Sequence, residues 1–207
     1  PMPSHSVESL TQSHNLVAAT ESQLELVADE DIRGCVDEAM VFEGDLTLEG
    51  DLDLNSGAVL IVTGNLVCSG SVVTDETATL IVGKNLRARH LYLEGNLEVH
   101  GDATLRGVVY GFYEAGISRV YGTTRAAIGL LGNHDWESEA EEYEIGAQFS
   151  NHSQGHCKFS SGDAEALRTA MGDDGFAMIA RMLGLSAAEP ADGNAAWGLG
   201  PFDRVAP

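Results

Sequence analysis

Side chains able to do chemistry gather in the second half of the sequence. His134 and Asp135 sit in Gly132-Asn133-His134-Asp135, and His152-x-x-x-His156 is followed at once by Cys157. Imidazole, thiolate and carboxylate are donors that zinc accepts, so His134, Asp135, His152, His156 and Cys157 are candidate ligands for a metal-dependent hydrolase. Against this, Asn151–His156 has the composition of a polar loop, which does not present its histidines on one helix face. Surface histidines are the expectation, with no metal, no cofactor and no catalytic residue. His90 and His100, with Glu94 and Glu98 close in sequence, have acid–base chemistry available. No nucleophile or oxyanion donor accompanies them, so they are expected at corners of the fold. No G-x-x-x-x-G-K phosphate loop occurs.

Gly132-Asn133-His134-Asp135 resembles the Gly-Asn-His-Asp/Glu element of calcineurin-like metallophosphoesterases, which implies metal binding by Asn133 and His134. The companion elements differ. No Asp-x-His is present, Gly50-Asp51-Leu52-Asp53 has the wrong spacing, and Gly155-His156-Cys157-Lys158 lacks the final histidine. A turn after a strand accounts for four residues without that context.

The elements that must position these groups come from a repeat. From Gly44 to Gly107 a Gly-x-apolar-x-apolar-x unit recurs, as in Gly44-Asp45-Leu46-Thr47-Leu48-Glu49 and Gly50-Asp51-Leu52-Asp53-Leu54-Asn55. A period of 20 residues is superimposed, carrying Leu46 onto Leu66 and Leu86, and Ala58–Val62 onto Ala78–Val82. Even positions stay apolar or small from Leu46 to Ala88, apart from Thr74, Glu76 and Lys84, so one face of a continuous ribbon points inward. The predicted fold class is all-β, a parallel β-helix with rungs of about 18–20 residues and a C-terminal helical extension. Near His90 the apolar parity moves to odd positions, which predicts one residue dropped from that rung or a bulge.

The expected organisation is a capping segment at 1–39, the β-helix at 40–132 and an acidic, histidine-bearing loop region at 133–160. Two helices are expected over 161–185, the first capped by Ser160-x-x-Asp163 ahead of Ala164, Leu167 and Met171. The second has Phe176, Ile179, Ala180 and Leu183 on one face. A flexible tail is expected from 186 to 207.

Charge narrows the partners. Eleven Lys and Arg face 32 Asp and Glu, a formal net charge of −21. No basic surface exists to displace phosphate counterions, so direct nucleic-acid binding and an anionic membrane surface are disfavoured. An acidic field steers basic partners instead. Three widely spaced cysteines suggest no disulfide framework, which fits a cytoplasmic protein. Glu137, Glu139, Glu141, Glu142 and Glu144 form an acidic run beside Trp136, and Tyr110, Tyr113 and Tyr121 precede it. Together they form a candidate partner-binding patch, since aromatic residues anchor interfaces.

Two further likenesses bear on function. The glycine-punctuated strands over residues 41–107 resemble bactofilin-type polymer-forming cytoskeletal proteins, which implies a homo-oligomer stacked through β-helix ends. The Asp/Asn-Leu steps at Asp45, Asp51, Asn65, Asn85 and Asn96 are similar to the core dipeptide of pentapeptide-repeat proteins, some of them acidic rods that mimic DNA. The expected function is non-enzymatic: an acidic immunity- or inhibitor-type protein neutralising a basic partner such as a nuclease-like toxin. A bactofilin-like scaffold and a metal-dependent hydrolase are the alternatives.

Overall fold

Leu46 pairs in parallel register with Leu66, and Leu66 with Leu86, the column that the 20-residue period predicts. The computed structural model describes residues 3–36, 38–113, 115–132, 134–150 and 156–157, together with Glu165, Arg168 and Thr169. The expected helices at 161–185 fall outside these residues, apart from the last three named, and so does the tail at 186–207.

The chain opens with β1 (Ser4–His5), α1 (Val7–His14), β2 (Val17–Ala18), α2 (Glu21–Leu24) and α3 (Glu30–Arg33). It then coils. The first turn is β3 (Met40–Phe42), β4 (Leu46–Leu48) and β5 (Asp51–Leu54). The second is β6 (Val59–Val62), β7 (Leu66–Cys68) and β8 (Ser71–Thr74). The third is β9 (Thr79–Val82), β10 (Leu86–Ala88) and β11 (His90–Leu93), and the fourth β12 (Asn96–Val99), β13 (Ala103–Leu105) and β14 (Val108–Phe112). β15 (Ile117–Gly132) makes the fifth turn in one long strand. β16 (Asp135–Ser150) lies parallel to it as a further layer, and β17 (His156–Cys157) turns back antiparallel on the end of β16. The result is a parallel β-solenoid of about five turns. Its first face stacks β3, β6, β9 and β12, its second β4, β7, β10 and β13, and its third β5, β8, β11 and β14. β15 and β16 each run round all three faces.

Period-2 alternation puts the even leucines inside: Leu46, Leu48, Leu52, Leu54, Leu66 and Leu86 are all at most 2% exposed. Cys68 lies over Leu48 as a small core residue, and burial pushes its thiol up to about 11. The parity change near His90 is one dropped residue. Leu86 pairs 20 residues back with Leu66, but Leu91 pairs 19 back with Val72. His90 therefore stands over Ser71, and Arg89, whose N–H bonds the Gly70 carbonyl, takes the glycine place that the period alone assigned to His90. Two more residues are lost where the Asp75–Ala78 corner shrinks, so Leu80 pairs with Leu97, 17 residues on.

The Asp/Asn-Leu steps have a local cause. At the corner before the second face, Asp45 Oδ1 accepts from the backbone and side-chain nitrogens of Asn65 at 2.8 and 3.0 Å. Asn65 Oδ1 repeats this toward Asn85, at 3.2 and 3.0 Å, and Asn85 Oδ1 accepts from Asp102 N at 2.9 Å. A corner amide has no strand partner, and each rung supplies an acceptor for the next.

The N-terminal segment caps the first turn and also straps one side. β1 pairs with β5, and β2 pairs antiparallel with β3. Leu24, Leu26, Val27, Ile32 and Val36 then cover the outer side of the first face, where Val41, Val59, Ile61 and Ile81 point outward. Val59–Val62 is buried at every position because this face is covered on both sides. Among the described residues no helix is long and apolar enough to cross a membrane.

Candidate functional site

The acidic run belongs to a strand. Glu137 through Glu144, expected as a solvated loop, lie within β16 in register with β15. The alternation was hidden because polar residues interrupt the inward series of the last layers: Ser118 and Thr124 are fully buried, and Thr124 Oγ1 meets Ser138 Oγ at 2.7 Å. All five glutamates are exposed. Register divides them. Glu137 and Glu142 stand over Arg119 and Arg125 on the outside, while Glu141 continues the inward column above Thr124 at the open end of the layer.

Two arginines neutralise part of this charge. Arg125 bonds Glu142 at 2.8 Å and Asp102 at 2.9 Å. Arg119 bonds Asp135 at 2.6 Å and reaches Glu137 at 3.7 Å. Glu139, Glu141 and Glu144 form no ion pair with any described residue. Arg106, Arg125, Tyr143, Glu142 and Glu144 border an open cleft of about 440 Å³, so the acidic layer carries a concave feature as well as charge.

The aromatic residues expected beside the run separate. Tyr121 is 45% exposed, its ring 5.4 Å from that of His100. Tyr113 is half-buried, with φ of 151°. Trp136 packs partly buried against the end of the core, its indole N–H donating to Ser138 Oγ at 3.0 Å. Tyr110 is only 2% exposed. It drops out as a contact for an external partner, because parity places it in a column of buried side chains.

The candidate metal ligands do not converge among the described residues. His134 is enclosed beside Gly111 and Gly116, and its Nε2 lies 2.8 Å from Ser118 Oγ. Burial holds its imidazole down to about 4. Asp135 is committed to Arg119. Asn133 and His152 lie outside the described residues, and only the backbones of His156 and Cys157 are described, in β17. No group of three His, Cys, Asp or Glu among the described residues could hold a metal. Ser118 and His134 have the residue types of a nucleophile and base, but Ser118 is sealed at 0% exposure.

A second polar cluster went unassigned. Val41, Ile61, Ile81, Glu98, Arg119 and Glu137 form one outward column on the first face. Glu98 is fully buried, and its carboxylate accepts from Ala28 N at 2.8 Å, Asp29 N at 3.2 Å and His100 Nε2 at 2.8 Å. Glu98 thus holds His100 as the sequence suggested, but as a clasp for the N-terminal strap. The hydrogen bond that His100 donates to the Glu98 carboxylate raises the imidazole above its ordinary value, against the opposing effect of burial. Arg119 Nε completes the clasp on Asp29. Burial pushes the Asp29 carboxyl up, and the Ile32 N–H with the Arg119 guanidinium outweighs it, leaving a net lowering. The available signal was a glutamate in a column that is isoleucine one and two turns earlier. His90, at the opposite side, is 2% exposed, with Nδ1 accepting from Val108 N at 3.1 Å, and burial lowers it to about 4.

No protein-family model, curated protein or solved structure matches the chain.

Proposed function

We propose that this chain is a non-enzymatic binding protein whose last acidic layer docks a basic protein. The observation that carries the reading is the exposure of five glutamates on β16, three of them without a described counter-ion. A rigid strand holds them without the entropy cost of ordering a loop, so a cationic surface meets charge already in place. The net charge of −21 steers such a partner over distances beyond contact. A cationic, nuclease-like toxin has the fitting chemistry, which would make the chain an immunity- or inhibitor-type protein. Free Cys35 and Cys68 suit a reducing cytoplasm.

The test is binding of the full chain to a cationic nuclease and to poly-lysine across an ionic-strength series. Affinity is expected to fall roughly tenfold or more as salt rises from about 0.05 to about 0.3 M. Binding that salt leaves unchanged, or no binding at low salt, sinks the reading. A second reading is self-assembly of the bactofilin kind. It is favoured by the outer edge of β16, which among the described residues is paired by β17 only at Phe149 and Ser150. Sedimentation separates the two, because a monodisperse monomer at working concentration excludes filaments.

A further inference from the structure

The second face ends beside a column that changes sign. β15 and β16 pair Arg125 with Glu142 and Ala126 with Tyr143, and pairing resumes at Ile128 with Ile145, so Ala127 stands under Glu144. One turn earlier Thr104 pairs with Arg125, and the same offset sets Arg106 under Ala127. A cation, a methyl group and a carboxylate therefore follow one another up the outside of the solenoid. Layers about 4.8 Å apart put the Arg106 and Glu144 backbones about 10 Å from each other, with only the small Ala127 side chain between them. All three residues line the open cleft of about 440 Å³ beside the last layer.

The charges in this cleft are unequally matched. Arg125 is taken on both sides, by Glu142 at 2.8 Å and Asp102 at 2.9 Å, and closes one wall. Arg106 and Glu144 are exposed and form no ion pair with any described residue, nor with each other. The floor between them is apolar: Leu105 and Ala126 belong to the core, and Tyr143 packs half-buried against it. A concave surface with an apolar floor and a few placed charges has the makings of a small-molecule site. A ligand of single charge would satisfy one of the two free groups and be repelled by the other.

The geometry points to a binding site for a small aliphatic zwitterion, an ω-aminocarboxylate whose carboxylate meets the Arg106 guanidinium and whose ammonium meets Glu144. Its methylene chain lies over Ala127, against Ala126 and Tyr143. The planar arginine fork donates two N–H bonds to a carboxylate, and the glutamate accepts from the ammonium. Alanine at position 127 leaves the trough open, where a longer side chain would fill it. Charge separation selects the ligand. A chain of about five methylenes, extended at about 1.2 Å per bond, holds its two charges about 7 Å apart and reaches both layers. Glycine, with its charges on one carbon, does not. Docking of a basic protein is not needed for this site, because Arg106 plays no part there.

The experiment titrates the isotope-labelled full chain with ε-aminocaproate and follows the amide resonances of Ala127 and Tyr143. Caproate and hexylamine, each lacking one charge, and glycine are the comparison ligands. Saturable binding of ε-aminocaproate with shifts at both amides is expected, and affinity weaker by roughly tenfold or more for the other three. Arg106→Gln and Glu144→Gln should each cost a similar factor. Arg87→Gln, at another exposed arginine of the second face, should change nothing. Absence of saturable binding to the wild type overturns the inference. So does hexylamine binding as tightly as ε-aminocaproate, which would mark simple attraction of a cation to an acidic surface, and so does an equal loss in Arg87→Gln. The wild-type titration decides even where a variant does not fold. Failure here leaves salt-dependent binding of a cationic nuclease intact, so the two outcomes are read separately.

Discussion

Arg119 Nε lies 2.9 Å from the Asp29 carboxylate, joining the fifth turn of the solenoid to a segment 90 residues earlier. The Arg119 side chain is 12% exposed and Asp29 is 15% exposed, so the pair is largely shielded from solvent. Arg119→Met leaves Asp29 without its cation. A loss of about 1–3 kcal/mol is expected in urea unfolding. Amide exchange should accelerate over residues 20–33 while the strands at Leu46 and Leu66 keep their protection. Unchanged exchange over 20–33 would show that the strap is held by its apolar contacts alone.

Glu98→Ala removes the buried acceptor for Ala28 N and Asp29 N, at a cost of about 2–4 kcal/mol. Glu98→Gln keeps one acceptor oxygen and should cost less than half as much. His100 supplies a pH signature. Its folded value is raised by Glu98, so its contribution is fully present below the unfolded value of about 6.5 and fades as pH rises through the folded value. The stability difference between wild type and His100→Gln is therefore largest in mildly acidic buffer and closes toward alkaline pH. A difference that grows with pH would contradict the assignment.

The corner ladder gives a sharper chemical prediction. Asn65 donates Nδ2 to Asp45 and accepts from Asn85. Asn65→Asp turns that donor into a second carboxylate facing Asp45. At neutral pH the variant should lose about 1–2 kcal/mol relative to wild type, and part of that deficit should vanish near pH 3 as the carboxylates protonate. Asn65→Ala should show a deficit without the acid recovery. Equal behaviour of the two variants across pH would refute the ladder.

Two glycines that look alike in the sequence should respond differently. A Cβ on Gly64 would collide with Asp45 Oδ1 and with the Gly44 backbone, atoms that cannot move without breaking the stack. Gly57 has φ of +75° with open space around it. Gly57→Ala should cost about 1–2 kcal/mol from its left-handed backbone. Gly64→Ala should cost more than about 3 kcal/mol or prevent folding. Thermal melts of the two variants decide it.

The column of Leu46, Leu66 and Leu86 was legible because its turns share one length and repeat a leucine at the same inward position. The parity change near His90 was legible for the same reason, although a fixed period then set His90 in the place that Arg89 takes. The last layer was not legible. Ser118 and Thr124 on β15 and Ser138 and Glu141 on β16 interrupt the inward apolar series that Val120, Ala126, Trp136 and Tyr143 carry, so the alternation is broken there. The strap is non-local, and no spacing in residues 20–36 announces a partner at Glu98 or Arg119. The unbroken apolar stretch Val59–Val62 did carry a sign of cover on both sides, since a solvated outer face would alternate. Tyr110 shows the converse. An aromatic residue near an acidic run looks like an interface anchor until register turns it into a buried face.

The most direct test of the docking account compares two charge variants of equal net charge. One carries Glu137→Gln, Glu139→Gln, Glu141→Gln and Glu144→Gln on β16. The other carries Glu8→Gln, Glu21→Gln, Glu25→Gln and Glu30→Gln, exposed positions on the N-terminal segment. Binding of each full chain to the same cationic nuclease is measured by calorimetry at low salt. Loss of affinity confined to the first variant is the expected result. Equal losses in both would mean that overall charge, not the last layer of the solenoid, attracts the partner.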